Sequence, residues 1–119
     1  MSTKKRKLAM DPQELAQLLV ERANAGDIEG MIVLYEPDAV LAIGGGKMAH
    51  GAAQIREFYT AFLATGVRFN VGEQRLAMLC GKLALTSTLL PNGTVTAEVA
   101  RQQSDGSWRW VIDQPIIAP

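Results

Sequence analysis

"TAEVARQQSDGSWRWVIDQP", residues 96–115, carries two runs of alternating apolar and polar residues around a central Asp-Gly pair. Alternation with period two is typical of β-strands that bury one face, and an Asp-Gly pair between two such runs favours a tight antiparallel hairpin. The sequence therefore predicts strands over 94–103 and 107–117, with a turn at 104–107.

The segment before this hairpin repeats the pattern. Apolar residues alternate with polar ones over 67–71, and the runs 74–80 and 82–90 follow. "PNGT" at 91–94 supplies the Asn-Gly pair of another hairpin turn. Consecutive strands joined by such short turns usually pair with one another, so we expect an antiparallel meander.

A helix is predicted near the N-terminus. Asp11, Pro12 and Glu14 stand where an N-cap, a first helical residue and a capping-box acid belong. Apolar residues follow at helical spacing until Gly26, which favours a C-terminal stop. The first helix is therefore expected to begin at Pro12 and to end before Gly26.

A second helix is predicted directly afterwards. Asp27 is its N-cap, and we expect it to run from Ile28 to roughly Tyr35. Pro37 ends it, because proline disfavours helical geometry in the residue before it. A short strand, Ala39 to Ile43, is expected next.

A third amphipathic helix is predicted over "GAAQIREFYTAFLA", residues 51–64. The glycines at 44–46 are expected to form a flexible connection between the short strand and this helix. The side chains that share the apolar face of the helix are Ile55, Phe58, Tyr59 and Phe62.

Three helices mostly ahead of one curved antiparallel sheet give an α+β domain over 11–119, in which the helices can cover only one face of the sheet. A pocket can lie between the two layers. The uncovered face is predicted to carry Trp108 and Trp110, which point to one side of the last strand. Such large rings are costly to leave in water, so we expect a homodimer through this outer sheet face.

Composition narrows the functional classes. Twelve basic residues balance twelve acidic ones, which argues against nucleic acid or a membrane surface as the main partner. The single cysteine excludes an internal disulfide, and the first residues lack the apolar core of a secretory signal, so a cytoplasmic location is expected. "KKRK" at 4–7 has two interpretations, a nuclear-import or polyanion-binding tract and a solvated, disordered basic tail over 1–10.

Two motifs that suggest a cofactor or a metal are incomplete. "GGGK" at 44–47 lacks the glycine and the Ser or Thr that a phosphate-binding loop needs at its other positions. His50 is the sole histidine and has no cysteine at ligand spacing. We therefore expect no cofactor and no metal.

Glu98 and Asp113 are the most informative polar residues, because both are acids inside predicted strands rather than at turns. If they face the helices, burial raises their pKa values and suits them to acid, base or hydrogen-bond donor work. The alternative is that they form structural ion pairs with Arg75, Arg101 or Arg109. The residues leave both interpretations open.

The sequence resembles ketosteroid isomerase and the wider superfamily of nuclear transport factor 2 and SnoaL-type polyketide cyclases. The resemblance is carried by "ANAGDIEGMIVLYEPDAV" at 23–40, "GAAQIREFY" at 51–59 and the stretch 96–115, and it spans nearly all of the chain after the tail. It implies a cone-shaped, usually dimeric α+β barrel, with the three helices on the concave face of the sheet and a deep pocket. Members of this superfamily include isomerases, dehydratases, cyclases, epoxide hydrolases and pure binding modules, so the fold does not choose among functions.

The resemblance transfers the isomerase site only in part. Its general base falls at Ile43 and its oxyanion-binding tyrosine at Leu19, so both groups are missing. Its second oxyanion donor, a protonated carboxylic acid, falls on Glu98, and a supporting pocket tyrosine falls on Tyr59. Tyr35 lies where some members of the superfamily carry another tyrosine. Asp113 falls at a pocket-facing place that is not acidic in the isomerase. Without the base, steroid isomerisation is not expected.

Two functions remain as hypotheses. The first is a protein that binds a small hydrophobic molecule, with possible isomerase, lyase or cyclase activity and with Glu98 and Asp113 as an acid–base pair. The second is a non-catalytic dimeric interaction or scaffold domain, in which both acids are paired with arginines and no large cavity is left. The pocket predicted by the first hypothesis is lined by Leu19, Tyr35, Ile43, Tyr59, Phe62, Glu98, Val111 and Asp113.

Overall fold

The computed structural model describes residues 5–115. Residues 1–4 of the predicted tail and the last two residues of the predicted strand 107–117 lie outside this range. Residues 5–10 contact the domain: Arg6 forms an ion pair with Asp27, and the carbonyl of the buried Ala9 accepts a hydrogen bond from the Trp108 N–H. The boundary between tail and domain at residue 10 stays a prediction.

Helix α1 spans Glu14–Asn24 and buries Leu15 and Leu18. It begins two residues later than predicted, with Gln13 and not Asp11 as its N-cap, although both predicted acids bond to backbone N–H groups nearby. Asp11 Oδ1 accepts from the Gln13 N–H, and Glu14 Oε1 accepts from the Met10 N–H, both at 2.9 Å. These bonds satisfy backbone donors at the start of the helix.

Helix α2 is shorter than predicted and spans Ile28–Ile32. Asp27 is its N-cap and accepts a hydrogen bond from the Gly30 N–H at 3.1 Å. The predicted continuation to Tyr35 is wrong. Tyr35 instead begins strand β1, Tyr35–Gly44, where it pairs with Trp110. Long-range pairing thus overrides the local helical pattern.

Pro37 lies inside β1 and does not terminate a helix. The pairing of β1 with the last strand shifts register between Tyr35 and Val40, so Pro37 falls where the ladder is irregular. A residue without an N–H is tolerated at such a position. The strand predicted over Ala39 to Ile43 is therefore the regular part of a longer one.

The glycines after β1 form a hairpin and not a strand-to-helix connection. Strand β2, Lys47–His50, pairs with β1, and Gly45 and Gly46 are the two loop residues. Their φ angles of 62° and 74° lie in the left-handed region that both residues of a two-residue type I′ hairpin loop require. Helix α3, Gly51–Leu63, agrees with the predicted helix over 51–64, follows β2 directly and packs on β1.

The rest of the sheet is built from shorter strands than the sequence predicts, and no strand forms over 67–71. The remaining strands are β3 (Glu73–Gln74), β4 (Met78–Cys80), β5 (Leu83–Thr86), β6 (Thr88–Leu89), β7 (Ala97–Gln102) and β8 (Trp108–Gln114). The six-stranded sheet has the order β2-β1-β8-β7-β5-β4, and β3 and β6 form a separate pair. All pairings are antiparallel except β1 with β8.

The predicted α+β class is confirmed, with three helices on a curled sheet. Core residues from all three helices and from the sheet form one hydrophobic cluster. None of the described helices is long and apolar enough to cross a membrane.

The predicted exposure of Trp108 and Trp110 on the outer face is wrong. Their exposed fractions are 7% and 2%, and both belong to the core. The cause is a β-bulge. Val99 on β7 pairs with Ile112, but the next residue, Ala100, pairs with Trp110, so Val111 is an extra residue on β8. The bulge reverses the alternation of inward-facing and outward-facing side chains along β8. Both tryptophans and Asp113 therefore face inward, and Ile112, which is 50% exposed, faces outward.

Candidate functional site

A cavity of about 950 Å³ lies among α1, α3, the β1–β2 hairpin, β7, β8 and the segment 69–74. Its size suits a molecule of several rings. The apolar side chains include aromatic rings that contact one another, such as the stacked Phe58 and Phe62 with ring centroids 5.4 Å apart. Among the apolar lining residues are Leu19, Ile43, Phe58, Phe62, Phe69 and Trp110.

Glu98 and Asp113 are the two acids of the cavity wall, and each is only 5% exposed. They lie directly opposite each other on β7 and β8. Opposite residues on one sheet face have Cβ atoms about 5 Å apart. The row continues on both sides, with Thr86 opposite Glu98 and Leu41 opposite Asp113. The sheet register therefore brings the two acids together.

Asp113 is held by a pair of tyrosines. The Tyr35 hydroxyl donates to Asp113 Oδ2 at 2.7 Å, and the Tyr35 and Tyr59 hydroxyl oxygens are also 2.7 Å apart. Tyr35 starts β1 and Tyr59 lies on α3, so strand, helix and sheet all contribute to this chain of groups. Tyr59 and Asp113 line the cavity.

Glu98 is held by hydroxyl groups of two threonines. Thr86 Oγ1 donates to Glu98 Oε1 at 2.7 Å, and the Thr96 side chain also hydrogen-bonds to Glu98. These donors stabilise the ionised carboxylate. Neither threonine was identified from the sequence, because a hydroxyl in a strand gives no local signal of its cross-strand partner.

The pKa values of both acids are raised. Burial and the charge of Glu98 raise the pKa of Asp113 to about 7, against the opposing effect of the Tyr35 hydrogen bond. Burial also raises the pKa of Glu98, and the hydrogen bonds from Thr96 and Thr86 oppose this. Burial likewise raises the pKa values of Tyr35 and Tyr59, so both hydroxyls keep their protons at neutral pH.

The ion pairs that the sequence left open for these acids do not form among the described residues. Arg101 pairs instead with Glu36, at 2.9 Å, and no ion pair of the described chain includes Arg75 or Arg109. Lys47 is the one cation among the residues that line the cavity, and it is exposed. Glu98 and Asp113 therefore differ from the paired acids of the surface.

Six of the eight predicted pocket residues line the cavity: Leu19, Ile43, Tyr59, Phe62, Glu98 and Asp113. Tyr35 does not, because it lies behind Asp113 and Tyr59 in the core. Val111 does not either, since it is the extra residue of the bulge. The sequence missed Trp110, which lines the cavity and whose Nε1 has no hydrogen-bond partner within residues 5–115.

Metal ligands are not grouped in the part of the chain that the structure describes: no three His, Cys, Asp or Glu side chains come together to hold an ion. His50 is exposed at the end of β2, where it precedes α3. Besides the two carboxyl groups, the cavity wall carries hydroxyl groups and the side-chain amides of Gln13, Gln17, Asn70 and Gln74.

Comparison with known proteins gives a family and a fold. The model of the SnoaL-like domain family matches residues 16–113. No curated protein gives a significant match. Among solved structures, a ketosteroid isomerase-like protein from Erwinia carotovora atroseptica is 23% identical, with a TM-score of 0.68 over 90% of this chain and 94% of that one.

Two further structures have the same fold. A protein described as a calcium/calmodulin-dependent protein kinase type II association domain, from Thiobacillus denitrificans, is 12% identical, with a TM-score of 0.75 over 94% of this chain and 100% of that one. An NTF2-like protein with a cystatin-like fold from Novosphingobium aromaticivorans is 22% identical, with a TM-score of 0.60 over 85% and 75% of the chains. The superfamily expected from the sequence is confirmed, and the chain belongs to the SnoaL-like domain family.

Proposed function

We propose that the protein binds a small, largely apolar molecule in the cavity and holds an oxygen of that molecule against Asp113 and Glu98. The observation that carries this proposal is the pair of buried acids, which share an apolar cavity wall and have hydroxyl partners in place of cations. Burying two acids side by side is unfavourable for folding. A ligand-binding or catalytic role gives a reason for retaining them.

Acid–base chemistry of the isomerase or lyase type is the activity that suits these groups. An acid whose pKa is near 7 can both give and take a proton at neutral pH, and two interacting acids titrate in separate steps. One protonated and one ionised carboxyl can then serve as general acid and general base on the same molecule. Ile43 and Leu19 put apolar groups on the cavity wall, which supports the expectation that steroid isomerisation is not the reaction.

A thermal-shift screen with flat, apolar ring compounds tests binding, because a ligand of the folded state raises the apparent melting temperature. We expect hits in the wild type and smaller shifts in Leu19→Trp, which narrows the cavity by placing an indole on its wall. Leu76→Trp is the matched control, since Leu76 is 87% exposed and lies outside the cavity. Shifts that are unchanged in Leu19→Trp for every hit would place binding elsewhere and contradict the proposal.

The roles of the acids are tested by Glu98→Gln and Asp113→Asn, which preserve shape and remove the ionisable group. We expect each substitution to abolish turnover or to weaken binding of a confirmed ligand, with the fold intact by circular dichroism. Unchanged binding and activity in both variants would remove the two acids from the site.

The outer sheet face supports a homodimer, and we propose that a second copy of the chain covers it. After correction for the bulge, this face carries an apolar row of Leu85, Val99, Ile112 and Val40, which pair in that order across four strands. Leu85 and Ile112 are each more than two-fifths exposed. This row replaces the tryptophans as the predicted contact surface.

The dimer is tested by size-exclusion chromatography with light scattering. We expect a dimer at micromolar concentration for the wild type and for Leu76→Glu, and a monomer for Ile112→Glu. A monomeric wild type would overturn the dimer. The alternative of a scaffold domain with no ligand requires a filled core and acids paired with arginines. Neither feature is present among the described residues.

A further inference from the structure

The tip of the β1–β2 hairpin forms part of the mouth of the cavity. Residues 44–48 all line the cavity and are all exposed, whereas the two acids of the cavity wall are each only 5% exposed. A Cβ atom added at any of the three glycines at 44–46 would meet no atom within 4 Å. The glycines therefore leave this part of the mouth open, and Lys47 supplies the charged side chain of the tip.

The strand register places Lys47 on the same sheet face as the acids. Asp113 on β8 pairs with Leu41 on β1, and Leu41 pairs with Ala49 on β2. Side chains two residues apart on a strand point to the same face, so Lys47 shares the inner face with the buried Ala49. The Lys47 side chain therefore begins on the wall that carries Asp113.

The charge of Lys47 has no acidic partner within residues 5–115. No ion pair in this part of the chain includes Lys47, and the charged residues that line the cavity are Lys47, Glu98 and Asp113. Lys47 and Asp113 are separated by two strand spacings and by two residues along β2, so their Cα atoms lie about 12 Å apart. The cavity thus has a cation at its mouth and two buried acids on its inner wall.

We propose that Lys47 makes the cavity a site for apolar molecules that carry a carboxylate at one end. This inference rests on the proposed function, since it requires a ligand in the cavity. The ligand lies with its uncharged end against Glu98 and Asp113 and with its carboxylate at the mouth, where the Lys47 ammonium donates to it. The opposite orientation is unfavourable, because it brings another negative charge beside the buried acids.

The other polar groups of the cavity wall do not make this choice. The side-chain amides of Gln13, Gln17, Asn70 and Gln74 each have both donors and an acceptor, so they can bind neutral and anionic groups alike. An ammonium group only donates and carries a full charge, so it distinguishes a carboxylate from the neutral amide of the same shape. The preference for an anionic end therefore depends on Lys47.

Matched pairs of a carboxylate and its primary amide test the inference, because the two members differ in charge and hardly in shape. The probes are para-phenylbenzoate with para-phenylbenzamide and octanoate with octanamide. Their dissociation constants are measured by calorimetry at about pH 7, where the carboxylates are ionised. In low salt we expect each carboxylate to bind the wild type about fivefold more tightly than its amide, as for a partly exposed ion pair. High salt should reduce this preference.

Three variants assign the preference to the charge at the mouth. Lys47→Met keeps an apolar side chain of similar length and removes the charge, so we expect the preference for the carboxylate to be lost. Lys47→Arg keeps the charge and should keep the preference. Lys82→Met is the matched control, since Lys82 is exposed and does not line the cavity, and its preference should match the wild type.

The outcomes distinguish this inference from the function on which it rests. If both members of each pair bind the wild type equally, or if Lys47→Met retains the preference, the role of Lys47 is wrong and ligand binding stands. The same conclusion follows if uncharged ring compounds bind and neither carboxylate does. If no member of either pair binds and the thermal-shift screen with ring compounds is also empty, the proposed function is contradicted as well.

Discussion

Glu29 on the surface and Asp113 in the cavity are both hydrogen-bonded carboxyls, but their partners differ. Glu29 accepts from the Arg56 guanidinium at 2.7 and 3.0 Å, and this cation lowers its pKa. Asp113 accepts from a tyrosine hydroxyl and lies opposite a second acid, and its pKa is raised to about 7. A cation partner favours the charged form, whereas burial beside hydroxyls favours the neutral one.

The comparison extends to the other acids of the described chain. Asp27 pairs with Arg6 and Glu36 with Arg101, and neither Asp27 nor Glu36 lines the cavity. Arg101, the arginine closest in sequence to Glu98, thus forms its ion pair with Glu36 on the surface and not with Glu98. Within residues 5–115 the salt bridges lie on the surface, and the two acids of the cavity wall have no cation partner.

The largest expected effect is on the pH dependence of stability. In the folded state Asp113 binds a proton up to about pH 7, but in the unfolded chain it loses that proton near pH 4. The folded state therefore binds more protons in this window, and the free energy of unfolding falls as pH rises through it, by on the order of 4 kcal/mol. Above about pH 7 this contribution is constant.

Asp113→Asn should remove this loss, so that the variant is the more stable protein above about pH 7. Urea unfolding at about pH 5 and about pH 8, followed by the fluorescence of the two buried tryptophans, measures it. If wild type and variant show the same change with pH, Asp113 is not the raised acid.

Tyr35→Phe is expected to have the next largest effect. It removes the hydroxyl that bonds to both Tyr59 and Asp113, and it leaves those buried groups short of a partner. We expect a cost of about 1–3 kcal/mol in the free energy of unfolding. The cost should grow with pH, because Tyr35 stabilises the ionised form of Asp113. Equal costs at about pH 5 and about pH 8 would show that Tyr35 does not act through Asp113.

Asp27→Ala tests the surface side of the comparison at a helix end. It removes the N-cap of α2 and the pair with Arg6, and we expect a loss of about 1 kcal/mol. The Arg6 hydrogen bond lowers the pKa of Asp27 to about 2, so its contribution is present above about pH 4 and is lost as pH falls towards 2. The difference between the two proteins in urea unfolding should shrink over that acidic range, and a constant difference would contradict this origin.

Glu29→Gln should have the smallest effect. Glu29 and Arg56 are both about half exposed, and solvent screens such ion pairs so that they contribute little to stability. We expect a change in the free energy of unfolding near the limit of detection, reduced further in high salt. A loss as large as that of Tyr35→Phe would erase the distinction between surface and cavity acids.

The sequence predicts the helices and hairpins well where the signal is local. The Asp27 cap, the apolar face of α3 and the Asp-Gly turn before β8 all depend on neighbours in the chain, and all are present. Glu98 and Asp113 could also be identified, since an acid inside a strand is unusual at any site. Their opposite positions also depend on the bulge at Val111, because the register near the turn, Ala100 with Trp110, would otherwise place Glu98 opposite Ile112.

One error is local, since Gly45 and Gly46 form the β1–β2 hairpin loop and not a strand-to-helix connection. The other errors arise where pairing at long range decides the outcome. A bulge at Val111 has no sequence signal in the strand itself, but it turns Trp108 and Trp110 inward. Tyr35 leaves its predicted helix because it pairs with Trp110, which lies far along the chain. Period-two alternation alone cannot reveal that the inward-facing residues of one strand change from even-numbered to odd-numbered positions along its length.

The pKa of the Asp113 carboxyl in the ligand-free protein tests the central claim most directly. Carbon NMR on protein labelled at aspartate carboxyls can follow the resonance that is missing in Asp113→Asn. We predict that this carboxyl titrates near pH 7 and that Glu98→Gln lowers its pKa by removing the adjacent charge. A carboxyl that titrates near pH 4, unaffected by Glu98→Gln, would contradict a buried acid available to a ligand at neutral pH.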